Sequence, residues 1–133
     1  MIALPQVIRR YQDLIQEAIS RIEQAYGAAT IQAVLDGEMP ASAELSTISF
    51  WFHGVGCTAE FDGYHLNWDW SKDNRTDEFE AWKIWRLTRE HSDEFGHWSD
   101  LQQLRTGFQE LAMQGVIESV PGSSVLFHFV EGH

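Results

Sequence analysis

An α+β fold with a mainly antiparallel sheet is predicted by three observations. Apolar residues recur at helical spacing near the N-terminus. An Asp62-Gly63 pair sits between two alternating segments, and two further helical stripes precede a terminal hairpin pattern. The expected order is an N-terminal helix, a β-rich middle, two central helices and a C-terminal β-hairpin. A chain of 133 residues can bury a core without disulfide or metal staples, so a single domain, 1–133, is expected.

The first helix rests on Leu4, Ile8, Tyr11, Ile15, Ala18, Ile19, Ile22 and Tyr26, which recur at three- and four-residue steps. Gly27 is expected to end it. Ala28 to Leu35 fits a shorter helix closed by Asp36-Gly37, and Glu38 to Ser46, with Pro40, fits a connecting loop. Thr47 to His53 is strand-like, with Ile48, Phe50 and Phe52 on one side. Parity then turns Trp51 to the opposite side, where an exposed aromatic suits a protein contact.

Asp62-Gly63 is the strongest turn signal. A two-residue type I′ turn needs positive φ at both central positions, which Asp and Gly tolerate. This register opposes Phe61 to Tyr64, Ala59 to Leu66 and Cys57 to Trp68 on an apolar face. It opposes Glu60 to His65 and Thr58 to Asn67 on a polar one.

After a polar loop, Ser71 to Asp77, the Asp77/Glu80 spacing resembles a capping box. Phe79, Trp82, Trp85 and Leu87 would supply the buried side of the helix that follows. Ser92 to His97 reads as a break at Gly96. Ser99 with Gln102 suggests a second box before Leu101, Leu104, Phe108 and Leu111, with Gly115 as C-terminal cap. Val116 to Val120, a Pro-Gly-Ser-Ser turn and Val125 to Val130 complete a second hairpin.

The net charge is −11, with acids outnumbering bases about two to one, which argues against a phosphate-binding surface and hence against nucleic acid as partner. The segment Ser99 to Val130 has the element order of a winged-helix reader, yet its helix carries Arg105 as its one basic residue and its hairpin has none. One cysteine excludes an internal disulfide and is compatible with a reducing cytoplasm. No stretch approaches membrane-spanning length and the N-terminus lacks a signal-like apolar run, so a cytoplasmic location and no membrane partner are expected.

Residues 53 to 70 first suggest a reaction centre, because His53, Cys57, Glu60, His65 and Asp69 fall close together. The hairpin register separates them. It turns Cys57 toward Trp68 on the apolar face and His65 and Asp69 to the other, so they cannot ligate one zinc ion; no metal or cofactor is expected. A thiolate nucleophile needs an electropositive, partly exposed setting, and Cys57 has Ala59, Phe61, Leu66 and Trp68 as face-mates. Glu60 and Asp69 with His65 could serve acid-base chemistry only in a desolvated cleft, and an ordinary solvated sheet face accounts for them more simply. Trp68, Trp70, Trp82 and Trp85 could form a sugar-stacking platform, but their spacing on a strand and a helix favours core packing.

Acid concentrates between Thr58 and Asp100, where eleven acids face five bases and contribute −6 of the total. A solvated surface explains such a cluster, and it also suits steered capture of a basic protein.

Four features match a known family: His53-Gly54-Val55-Gly56-Cys57; Trp68-Asp69-Trp70; Phe79-x-x-Trp82 with Leu87; and the helix end Glu110-Leu111-Ala112-Met113-Gln114-Gly115-Val116-Ile117 before a short hairpin. In these the chain resembles a family of small bacterial domains of unknown function, some of which occur among polymorphic-toxin immunity proteins. The resemblance covers the last two-thirds of the chain and carries no catalytic residues.

It implies an inhibitory protein partner rather than a reaction. The expected function is that of a non-enzymatic immunity protein occluding the active cleft of a cognate toxin, with a nuclease fitting the charge best. The expected contact residues are Glu60, His65, Asn67, Asp69, Asp73, Asp77 and Glu78. A small hydrolase or metal-dependent enzyme on the polar hairpin face, or a non-catalytic adaptor, is the alternative.

Overall fold

The computed structural model describes residues 2–26, 42–44, 48–53, 56–69 and 77–131. The expected second helix at Ala28 to Leu35, most of the loop after it, Trp70 and the acidic loop around Asp73 lie outside the described residues. Helix α1 spans Leu4–Tyr26, strand β1 Ser42–Glu44, β2 Ile48–His53, β3 Gly56–Phe61 and β4 Tyr64–Asp69. Helix α2 spans Ala81–Thr88, α3 Ser92–Phe95, a 3-10 turn Gly96–Ser99, α4 Leu101–Met113, β5 Ile117–Ser119 and β6 Phe127–Phe129. The fold is α+β, as predicted. No helix among the described residues is long and apolar enough to cross a membrane.

The chain divides into two compact units, Met1–Tyr11 with Asp77–His133, and Gln12–Thr76. In the second, β1 to β4 form an antiparallel sheet in chain order. Its β3–β4 hairpin has the predicted register, with Phe61 opposite Tyr64, Glu60 opposite His65 and Cys57 opposite Trp68. The turn is set by φ of +51° at Asp62 and +83° at Gly63, the left-handed pair that a type I′ turn demands.

Ile48, Phe50, Cys57, Ala59, Phe61, Leu66 and Trp68 are buried on one face of this sheet. Leu14, Ile15, Ala18, Ile19 and Ile22 form the buried stripe of α1 in the same unit. Burying each large aliphatic or aromatic side chain contributes about 1.5–3 kcal/mol.

Strand β1 corrects the expectation of an unbroken loop from Glu38 to Ser46, since Ala43 pairs with Phe50 at the sheet edge. Three residues without apolar alternation become a strand here because β2 offers them a ladder.

The other unit carries Leu4, Val7, Ile8 and Tyr11 with Phe79, Ile84, Leu87, Phe95, Leu104, Phe108, Leu111 and Ile117 in its interior. Strands β5 and β6 form the predicted terminal hairpin. Phe79 extends it as an antiparallel bridge, donating its N–H to the Phe127 carbonyl (2.9 Å) and accepting from the Phe127 N–H (2.8 Å).

That bridge overturns the expected Asp77/Glu80 capping box. Phe79 is committed to extended backbone, so the helix starts only at Ala81, with extended Glu80 as an N-cap that makes no side-chain cap bond. The buried stripe of α2 is therefore Ile84, Leu87 and Thr88. Leu87 is buried as expected, Phe79 is buried but precedes the helix, and Trp82 and Trp85 are not part of the stripe.

Two further differences follow downstream. The expected break at Ser92 to His97 is one helical turn, α3, joined to the 3-10 turn through Gly96 at φ +61°. The cap of α4 is Asp100, whose carboxylate accepts the Gln103 N–H at 3.0 Å, and not Ser99, whose hydroxyl is spent on the Gly96 carbonyl at 2.9 Å. At its other end Gly115 has φ +75°. The Val116 and Gly115 N–H groups return to the Leu111 and Ala112 carbonyls, a Schellman closure as the glycine predicts.

Candidate functional site: the polar face of the four-stranded sheet

Register alone assembles the face opposite the buried one. Ser49, Glu60 and His65 align across β2, β3 and β4; so do Trp51, Thr58 and Asn67, and then His53, Gly56 and Asp69. Strand alternation puts all of these on one side, which explains why a short hairpin delivers so many polar groups together. Trp51, as its parity predicts, is the exposed aromatic of this face, with 40% of its surface open.

Glu60 and His65 are joined by a side-chain hydrogen bond on this face. His65 Nε2 lies 3.1 Å from Glu60 Oε1, and because a carboxylate oxygen accepts, the bond places a proton on Nε2. The Glu60 side chain is 54% exposed and that of His65 25%, so water reaches the pair. Its contribution to stability is on the order of the 0–1 kcal/mol of surface pairs.

Asp69 stands elsewhere. It lies on β4 four residues beyond His65, a separation of about 13 Å at roughly 3.3 Å per strand residue. Its neighbour across the ladder is Gly56, where the missing side chain leaves room. Asp69 Oδ1 lies 3.5 Å from the position that a Gly56 Cβ would occupy, so the carboxylate leans over Gly56 on β3. The face thus has two acidic places, Glu60–His65 and Asp69, with Thr58 and Asn67 in the row between them.

Of the other predicted contact residues, Asp73 lies outside the described residues. Asp77 and Glu78 belong to the other unit, where Asp77 is exposed and Glu78 half-buried. Ser49 and His53 share the sheet face with Glu60 and Asp69 but were not among the predicted contacts. Extending the parity of Trp51 one step each way would have found them. Cys57 lies buried on the opposite face beside Trp68. Among the described residues no three His, Cys, Asp or Glu side chains are grouped so as to hold a metal ion.

An open face with an indole, separated carboxylates and small polar side chains can hold cationic and hydrogen-bonding groups of another molecule. No curated protein and no solved structure matches the chain. A domain of unknown function (DUF6896) matches residues 4–128, from helix α1 into the terminal hairpin, and the chain belongs to that family.

Proposed function

We propose that the protein is a cytoplasmic immunity protein that binds a cognate bacterial toxin through the polar sheet face and occludes the toxin's active cleft. The observation carrying this reading is Trp51, 40% exposed in a row with Thr58 and Asn67 and flanked by the rows of Glu60 and Asp69. Exposed aromatics ringed by polar groups are favoured anchors in protein interfaces. The charge of −11 suits a basic partner, and a nuclease cleft must be basic to receive phosphates.

The alternative, a hydrolase using Glu60, His65 and Asp69, needs all three around one reacting atom. The four-residue offset of Asp69 from His65 along β4 supports binding over that chemistry. Co-expression with the toxin encoded by the neighbouring gene tests the proposal. Restored growth and co-elution of the two proteins are expected, whereas no rescue and no complex on a sizing column would refute it.

A further inference from the structure

A second site lies in the unit that holds α2, α4 and the terminal hairpin. Because α2 starts at Ala81 and buries Ile84, Leu87 and Thr88, Trp82 points away from the interior and remains 41% exposed. Val125, in the turn before β6, is 53% exposed. The two border a groove of about 250 Å³, with Phe108 and Phe127 also lining it and Glu80 and Arg105 supplying charge. Exposing Trp and Val together costs hydration free energy that an apolar occupant would recover.

The charges select the occupant. Glu80 is engaged by Lys83 at 3.7 Å, and Arg86 sits 5.5 Å from the centre of the Trp82 ring. Arg105 is exposed on α4 and has no ion pair or hydrogen bond among the described residues. On a protein of net charge −11, an uncompensated guanidinium at an apolar groove is a local exception. A planar guanidinium fork matches a carboxylate in two parallel hydrogen bonds.

The groove is smaller than the roughly 300–1,000 Å³ of drug-sized sites, which limits the apolar part to about one aromatic ring. An extended peptide is disfavoured because both backbone groups of Phe127 are already bonded to Phe79, leaving β6 no ladder to offer beside the groove. We propose that this groove binds a small hydrophobic carboxylate, its ring against Trp82, Val125, Phe108 and Phe127 and its carboxylate on Arg105. This site is independent of the acidic sheet face.

The test is a titration of the full chain, followed by NMR, with 3-phenylpropanoate, its neutral amide and a short peptide ending in phenylalanine. Saturable shifts of the Trp82 indole N–H and of Arg105 are expected with the acid, with the amide about tenfold weaker, as loss of one charge-assisted contact implies. Arg105→Gln should abolish the preference for the acid without lowering the melting temperature, and Arg105→Lys should retain part of it. No saturable shift, equal affinity for acid and amide, or a preference that survives Arg105→Gln would overturn the proposal. Tighter binding of the peptide than of 3-phenylpropanoate would overturn the small-molecule assignment.

Discussion

Gly107 lies so close to Trp98 that a Cβ built on it would stand 2.7 Å from Trp98 Cζ3, and equally close to Leu4 Cδ2. The indole has little freedom to retreat. Its Nε1 donates to the Ile2 carbonyl at 2.8 Å, while its own carbonyl accepts from Thr88 Oγ1 at 2.7 Å. In the middle of a solvated helix, Gly→Ala would add about 1 kcal/mol through backbone propensity. Here overpacking, typically about 1–3 kcal/mol, opposes that gain. Gly107→Ala is therefore expected to destabilise the fold by about 1 kcal/mol in urea unfolding; a rise in the midpoint would show that Trp98 and Leu4 yield freely.

The β3–β4 turn gives a cleaner sign, because nothing lies within 4 Å of where a Cβ would stand on Gly63. Gly63 has φ +83° and open space where a Cβ would go, so an alanine there meets only the backbone cost of the left-handed region. Gly63→Ala should cost about 1–2 kcal/mol. Asp62→Asn, at φ +51°, should stay within about 0.5 kcal/mol because Asn tolerates that region equally well. Equal midpoints for wild type and Gly63→Ala would contradict the turn assignment.

These two glycines also mark what was legible in the sequence. Asp62-Gly63 carries its geometry locally: the turn chemistry and the alternation of Glu60, His65, Ala59 and Leu66 point to one register, and the structure has it. The start of helix α2 is not legible locally, because it is decided by Phe127, 48 positions after Phe79, and no local pattern announces that bridge. A helix anchored on Phe79 puts Trp82 in the core. At about 100° of helical rotation per residue, Trp82 lies roughly 200° from Ile84, so a wheel anchored on Ile84 exposes it. Asp100 displaced Ser99 as a cap by one position because adjacent Ser and Asp are both good caps, and the 3-10 turn takes the serine hydroxyl. The composition of the sheet face was readable from parity, but what it binds belongs to another molecule.

Thr88 is fully buried, and its hydroxyl donates to the Trp98 carbonyl. Thr88→Val keeps the shape and removes the donor, so the expected loss is the cost of an unpaired carbonyl, about 1–3 kcal/mol. Thr88→Ser keeps the bond and gives up one methyl group, worth about 0.8 kcal/mol. Thermal unfolding of both variants separates the two contributions. If Val proves the milder change, packing outweighs the hydrogen bond at this position.

Cys57 is buried at 1% exposure on the core face of the sheet, between Phe52 of β2 and Trp68 of β4. Burial keeps reagents in solution from the sulfur and makes a slow thiol. Reaction with a disulfide reagent should be negligible in the native state and rapid in denaturant, its rate following the unfolded fraction. Fast native labelling would mean that the sheet opens locally or that the thiol faces solvent.

Phe50 and Trp51 are adjacent on β2 and face opposite ways, 0% and 40% exposed, so the same truncation should have unequal consequences for stability. Phe50→Ala empties a core position and is expected to cost about 3–5 kcal/mol. Trp51→Ala gives up sheet propensity and the covered part of the indole, and is expected to cost less, about 1–2 kcal/mol. If the polar face is the docking surface, Trp51→Ala should weaken toxin binding by about 2 kcal/mol, roughly thirtyfold, as truncation of an interface anchor does. Glu60→Gln and Asp69→Asn should instead slow association most strongly at low salt, because separated surface carboxylates act mainly through steering. Surface plasmon resonance against the toxin reads both effects. Unchanged dissociation with Trp51→Ala, together with unchanged association in the carboxylate variants, would move the interface off this face.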